Sequence, residues 1–272
     1  MTDATAAATR LRDAYATRQP APTPSSEDPA FDLTAAYAVE RELVRMRGES
    51  GHRPVGRKVG FANKAVWRAL KLETLVWAHM YDDTVHVAPN GAATLAIGRM
   101  YAPKIEPEIV FKLRARLGDV GADAAAALAA VEWIALGFEI IDAVYPGWKF
   151  QPADFVAAYG LHAALVVGEP RHVEAAAIGA LVEQLPSFKV RLLKNGEVVE
   201  EGSGKNSLRS PALCLAELAA AIARRPDTEP LASGELISSG TLTNSLPIAA
   251  GETWRAEVEG LDLAPINLHT IA

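Results

Sequence analysis

The sequence predicts an α+β protein in which a smaller α-rich N-terminal domain, residues 1–98, precedes a β-rich domain over residues 99–272 with a curved, largely antiparallel or mixed sheet. Three observations carry this expectation. Before residue 50, alanine-rich stretches place their apolar residues at helical spacing. Beyond residue 100, strand-like runs outnumber helical ones. Between two alternating runs stands Asn195-Gly196, a strong two-residue hairpin signal.

Taken in order, ATAAATRLRDAYATRQ reads as a helix and PAPTPSSEDP as a proline- and serine-rich break. FDLTAAYAVERELVRMRGES reads as a second helix, with Asp32 or Thr34 as N-cap and Gly48 as stop. GRKVGF is strand-like, NKAVWRALKL helical, and VHVAPNGAATLAI alternates around a turn at Asn90-Gly91. Strands are then expected in IEPEIVFKLRA, WIALGFEIIDAVY, HAALVVG, KVRLLKNGEVVEEG, ELISSGTL and TWRAEVEGLDLAPINLH, with helices at ADAAAALAAVE and PALCLAELAAAIARR. Half of the 272 residues are hydrophobic and 22% are charged, enough for a large buried core.

Composition also excludes partners. A net charge of −6 with no Lys/Arg block argues against nucleic acid. The longest apolar runs, such as AAAALAAVEWIALGF, carry an acid and are too short to span a bilayer, and Met1 to Gln19 lacks a hydrophobic signal core; a cytoplasmic protein without membrane contact is expected. The single Cys214 excludes an internal disulfide and a cysteine-based zinc site, and reads as a small buried hydrophobe.

The chemistry concentrates in PKIEPEIVF. On a strand, Glu106 and Glu108 leave the backbone on one side and Ile105 and Ile109 on the other, so the two carboxylates are neighbours. Like charges held so close are costly without a proton or a cation between them. In WIALGFEIID, Glu139 shares a face with the small Gly137 and Ala135 and so faces open space. Three carboxylates form a hard, all-oxygen site suited to Mg²⁺ or Mn²⁺. The competing reading puts Glu106 and Glu108 on a solvent-facing edge, paired with Lys104 and Lys112. Lys58, between glycines and valines in GRKVGF, is placed to polarise a carbonyl or exchange a proton, or else is a surface lysine. Gly240-Thr241 ends a strand where a hydroxyl and backbone N–H groups could receive a carboxylate, whereas GSGKNS lacks phosphate-loop spacing and reads as a turn. Six scattered histidines and no G-x-S-x-G leave no catalytic triad.

In order and spacing, GRKVGFANKAVW, PKIEPEIVFKL, GFEIIDAVY, the hairpin leading to GSG, and LISSGTLTNSLPIAAGETWRAEVEGLDLAPINLH resemble the 2-keto-4-pentenoate hydratase and 4-oxalocrotonate decarboxylase group of the fumarylacetoacetate hydrolase superfamily. The resemblance spans nearly the full chain. It implies a rolled mixed β-structure behind a smaller N-terminal domain, and a homo-oligomer. It implies Mg²⁺ held by Glu106, Glu108 and Glu139, an active-site lysine at Lys58, and a small 2-oxo acid whose carboxylate is received at Gly240-Thr241. Two motifs depart from the group. Val76 and Ala78 stand at the acid and glycine of its P-D-x-G segment, and Ala158, Tyr159, Gly160, Leu161 and His162 replace its D-N-A-S segment. His162 is a candidate for the acid/base work that these losses remove. The expectation is a metal-dependent hydratase, with a decarboxylase, a C–C bond hydrolase or a non-catalytic homologue as alternatives.

Overall fold

The computed structural model describes residues 2–272, and its first and third helices begin at aspartate caps. Helix α1 (Ala4–Thr17) starts at Asp3, whose carboxylate accepts from the Thr5 and Ala6 N–H groups. The proline- and serine-rich break contains one short helix, α2 (Pro24–Glu27). In α3 (Leu33–Glu49) the N-cap is Asp32 rather than Thr34, and the helix runs through Gly48 to a cap at Ser50. Leu11 and Ala14 of α1 and Ala36, Tyr37, Val39 and Leu43 of α3 supply the apolar stripe by which the two helices pack into the main core.

Strands enter at β1 (Pro54–Gly60), followed by α4 (Lys64–Leu70), β2 (Val76–Tyr81), β3 (Val85–Val87) and β4 (Ala92–Ala96). The centre is built from β5 (Lys104–Leu113), α5 (Ala124–Ala129) and β6 (Val131–Ile141), then α6 (Pro152–Ala157), β7 (His162–Val167) and β8 (Arg171–His172). After α7 (Ile178–Gln184) come the hairpin β9 (Lys189–Lys194) and β10 (Glu197–Ser203), then α8 (Pro211–Ala223), β11 (Leu236–Ser238), β12 (Leu246–Pro247), β13 (Thr253–Glu259) and β14 (Ile266–Ile271). The hairpin turns at Asn195-Gly196, both with positive φ, as the sequence predicts.

Two curled sheets result. One runs β2-β1-β11-β5-β6-β7-β3, with β12 on β5 and β8 on β6; the other runs β10-β9-β13-β14-β4. Pairing is mostly antiparallel, with parallel pairs β1–β11, β3–β7 and β14–β4, so the mixed sheet expected from the sequence is present. The α-rich N-terminal domain expected over residues 1–98 needs correction on this topology. Its uninterrupted helical part ends at Glu49, and β1 to β4 are woven into both sheets. A boundary at residue 98 would place β4 and its ladder partner β14 in different domains. No helix among the described residues is long and apolar enough to cross a membrane.

The β5–β6 pair is buried on both faces. Ile105, Ile109, Phe111, Phe138 and Ile140 enter the main core, each fully buried side chain contributing about 1.5–3 kcal/mol. The other face meets a small apolar cluster of Val110, Ala135, Met80, Leu165 and Val167 at one end, and the glutamates at the other. That face sets the site.

Candidate metal centre and active site

Glu106 lies directly opposite Glu139 across the β5–β6 ladder, and Glu108 lies opposite Gly137. Each of the three glutamates presents a carboxylate oxygen within 4.8 Å of the others. Glu108 and Glu139 are fully buried, and Glu106 is half-buried at the inner end of a cleft of about 800 Å³. The solvent-edge reading fails, because Lys112 pairs with Glu132 at 3.7 Å and Lys104 Nζ lies 4.0 Å from the centre of the Trp148 ring.

Lys58 is the one cation inside the cluster among the described residues. β1 carries it inward, where Nζ lies 3.0 Å from Glu139 Oε2 and donates to the Gly160 carbonyl at 3.0 Å. Gly160 has φ 59°, and a Cβ there would meet Ala78 Cβ at 2.7 Å and Lys58 Cδ at 3.0 Å, so glycine is needed to bring that carbonyl close. Burial alone would lower the Lys58 pKa, but Glu139, Glu106 and Glu108 outweigh it and raise it, so the ammonium stays charged. Burial by itself raises the Glu139 carboxyl, yet Lys58 and His162 hold it below its ordinary value. Burial and the neighbouring acids push Glu108 well up, and burial pushes Glu106 up to about 7 against the pull of Lys58.

One lysine facing three buried carboxylates leaves a deficit of positive charge. Glu108 Oε2 accepts from Ser238 Oγ at 2.5 Å and from the Gly240 N–H at 2.8 Å, but Glu108 Oε1 has no hydrogen-bond partner, and Glu139 Oε2 meets only the Lys58 ammonium at 3.0 Å. An orphaned buried oxygen beside a second that meets only a lysine, in an all-oxygen set, fits a hard divalent cation.

Two sequence expectations change. His162 does not line the cleft: it sits behind Glu139, with Nδ1 3.0 Å from Glu139 Oε1 and Nε2 2.9 Å from Thr84 Oγ1. An ionised Glu139 requires a proton on Nδ1, the single Thr84 hydroxyl proton is shared between Nε2 and the Tyr81 carbonyl, each 2.9 Å away, and burial lowers the imidazole pKa and keeps the ring neutral. Both nitrogens are occupied, and the geometry is that of a positioning residue. The Gly240 N–H is likewise not free for a substrate, because it is committed to Glu108. Gly240 has φ 93° and a Cβ there would meet Ala62 at 2.6 Å, so its role is a tight turn that leaves Thr241 lining the cleft.

Thr84 and Ser238 escaped the sequence reading. Neither has a local signal, since each meets its partner only through strand pairing between distant segments: β3 beside β7, and β11 beside β5. Phe155, Trp148 and Phe150 wall the cleft. Cys214 is buried in α8 as expected.

A rolled mixed sheet with three convergent glutamates and a buried lysine at the end of a cleft defines a class of carboxylate-bound metal enzymes. Residues 56–264 match the fumarylacetoacetate (FAA) hydrolase C-terminal family, and the chain belongs to it. It is 29% identical over 239 residues to the 2-hydroxyhexa-2,4-dienoate hydratase of Comamonas testosteroni, covering 88% of this chain and 87% of that one. A 4-oxalocrotonate decarboxylase from a Pseudomonas species is 31% identical over 255 residues, 93% of each chain. Among solved structures, the 4-oxalocrotonate decarboxylase of Pseudomonas putida G7, complexed with magnesium and adipate, superposes with a TM-score of 0.87 at 27% identity, covering 98% of this chain and 97% of that one.

Proposed function

We propose that this protein is a divalent-metal-dependent lyase that hydrates a small 2-oxo or 2-hydroxydienoic acid. The observation carrying the reading is the convergence of Glu106, Glu108 and Glu139 behind the cleft that Glu106 lines, with Glu108 Oε1 unpartnered and one lysine to offset three carboxylates. These three residues would hold Mg²⁺, with Mn²⁺ as the other hard cation that suits them. Bound there, the ion supplies Lewis acidity at the carboxylate and 2-oxo oxygens of the substrate.

The chain's own residues do the rest. Lys58, charged and fixed between Glu139 and Gly160, places a preorganised positive charge where an enolate oxygen develops. Its raised pKa makes it a charge stabiliser rather than a base near neutral pH. His162, held by Thr84, keeps Glu139 in one orientation. Thr241 would receive the substrate carboxylate at the cleft wall by turning its hydroxyl from the Thr243 carbonyl, to which it donates at 2.9 Å, and Phe155, Phe150 and Trp148 exclude water from the carbon chain.

Decarboxylation is the second reading, favoured by the near-complete superposition on a 4-oxalocrotonate decarboxylase. Hydration, decarboxylation and C–C cleavage beside a 2-oxo group all develop charge on the same oxygen, so one site serves each. Calorimetric Mg²⁺ titration of the wild type and Glu106→Gln tests the centre. A wild type that binds no Mg²⁺ leaves only a non-catalytic homologue. Incubation with 2-hydroxyhexa-2,4-dienoate, followed by dienol absorbance and CO₂ release, then separates hydration from decarboxylation. Self-assembly and a cytoplasmic location belong to the same proposal. β10 is a sheet edge with Val198 and Val199 exposed, and sedimentation of the purified chain reads the subunit number.

A further inference from the structure

Between α6 and β7 the chain turns through Tyr159, Gly160 and Leu161, which stand where the D-N-A-S segment is replaced, and the two ends of this turn serve the acid trio. The Gly160 carbonyl accepts from Lys58 Nζ at 3.0 Å. His162, the first residue of β7, meets Glu139 Oε1 at 3.0 Å through Nδ1. Any shift of the turn therefore moves the lysine's anchor and the imidazole behind Glu139 together. The three residues have φ of 57°, 59° and 57°, a region that only the glycine adopts freely, so the turn depends on its surroundings to keep its shape.

Those surroundings come from distant parts of the chain. The Tyr159 ring meets two others edge-on, Tyr15 of α1 at 5.9 Å between centroids and Tyr81 of β2 at 6.3 Å. The Arg47 guanidinium of α3 lies 4.7 Å from the centre of the Tyr81 ring. Tyr15 also holds the far end of the turn: its hydroxyl donates to the Asp142 carbonyl at 2.9 Å, and the Asp142 N–H donates to the Leu161 carbonyl at 2.8 Å. Asp142 is itself fixed, its carboxylate accepting from the Tyr101 and Ala102 N–H groups at 2.8 and 2.7 Å. Tyr15 and Arg47 lie outside residues 56–264, the part of the chain that matches the family.

We propose that Tyr15 is a positioning residue for the active site, fixing the turn at 159–161 and, through the Gly160 carbonyl, the place of the Lys58 ammonium. Helix α1 then belongs to the machinery of the site, although it touches neither the acid trio nor the cleft. The inference rests on the role proposed for Lys58 and adds to it what holds that lysine still.

The test reads the lysine directly. In heteronuclear NMR spectra of the nitrogen-labelled protein, the Lys58 ammonium, buried and bonded to Glu139 and Gly160, should give a slowly exchanging signal that is missing from Lys58→Arg. Tyr15→Leu removes ring and hydroxyl together; it should abolish that signal and lower kcat for 2-hydroxyhexa-2,4-dienoate about ten-fold or more at nearly unchanged KM. Tyr15→Phe, which keeps the ring, should recover most of both. Tyr37→Leu is the control for a lost helix-to-sheet tyrosine, because its ring packs on Trp77 rather than on Tyr159, and it should leave the signal in place. Tyr81→Leu gives a second reading on the same ring if Tyr15→Leu does not fold. A wild type without the signal, a folded Tyr15→Leu or Tyr81→Leu that keeps it, or an equal loss in Tyr37→Leu overturns the inference. A signal that depends on Tyr15 in a protein that does not turn over the dienoate overturns the hydratase reading and leaves the positioning inference standing.

Discussion

Among the described residues two clusters of acids, one of them with a histidine, lie close enough to share a cation, and they differ in what surrounds them. Glu106, Glu108 and Glu139 converge in the interior with a single lysine between them, and two of the three are fully buried. His52, Asp82 and Asp83 lie on the surface, where the two aspartates are about a third exposed, Arg47 bonds Asp83, and Arg53 approaches Asp82 at 3.5 Å. Water and arginine neutralise the outer cluster. At the inner one, burial withholds water and leaves a charge deficit that a proton or a metal must fill. The comparison teaches that proximity of carboxylates does not make a metal centre; desolvation without enough counter-charge does.

Several measurements would break or sharpen that contrast. The largest effect is expected for Glu108→Gln, which should weaken Mg²⁺ binding about 100-fold or more by calorimetry, whereas Asp82→Asn in the outer cluster should leave affinity and stoichiometry unchanged. Equal losses at the two positions would erase the distinction. Next in size, Lys58→Met strands the buried carboxylates without their counter-charge, and the metal-free protein should lose about 3–5 kcal/mol in urea unfolding, with Mg²⁺ recovering part of it. His162→Asn should reduce Mg²⁺ affinity about ten-fold through the loosened Glu139, with the fold intact by circular dichroism.

Protonation gives a comparable test with a defined sign. Glu106 has its pKa raised to about 7 by burial, so it is neutral below that pH and anionic above it. A cation needs the anionic form, so Mg²⁺ affinity should fall as pH drops through about 7, by up to about ten-fold per pH unit, and the same titration on Asp82→Asn should follow the wild-type curve. A pH-independent affinity between 6 and 8 would contradict a Glu106 ligand. The smallest effect belongs to the surface: Arg10→Ala should cost under about 1 kcal/mol, because its exposed pair with Glu27 trades Coulomb energy for hydration.

Much of this was legible in the chain itself, for reasons that differ by region. Period-2 alternation in IEPEIVFKL places Glu106 and Glu108 on one face and Ile105 and Ile109 on the other wherever the strand lies, and β5 keeps that alternation. Asn195-Gly196 turns as its φ requirement dictates, and the alanine-rich segments close as helices because their caps and apolar stripes are local. The boundary near residue 98 was not legible, since VGRKVG and AATLA read the same whether their strands pair with neighbours or with β11 and β14 far along the chain. His162 shows the same limit. Its position suggested an acid/base residue, but only the folded sheet decides that Thr84 and Glu139 occupy both ring nitrogens.

By itself, then, the order of residues determined which side chains share a strand face, where helices begin and where turns fall, because these depend on spacing within a few residues. Only the tertiary structure decided that Glu139 stands opposite Glu106, that Lys58 reaches both Glu139 and the Gly160 carbonyl, and that the Gly240 N–H is spent on Glu108. Those contacts join segments tens to more than a hundred residues apart. They exist because burying the apolar faces of β5 and β6 brings their acids together, an outcome set by the whole core rather than by any local stretch.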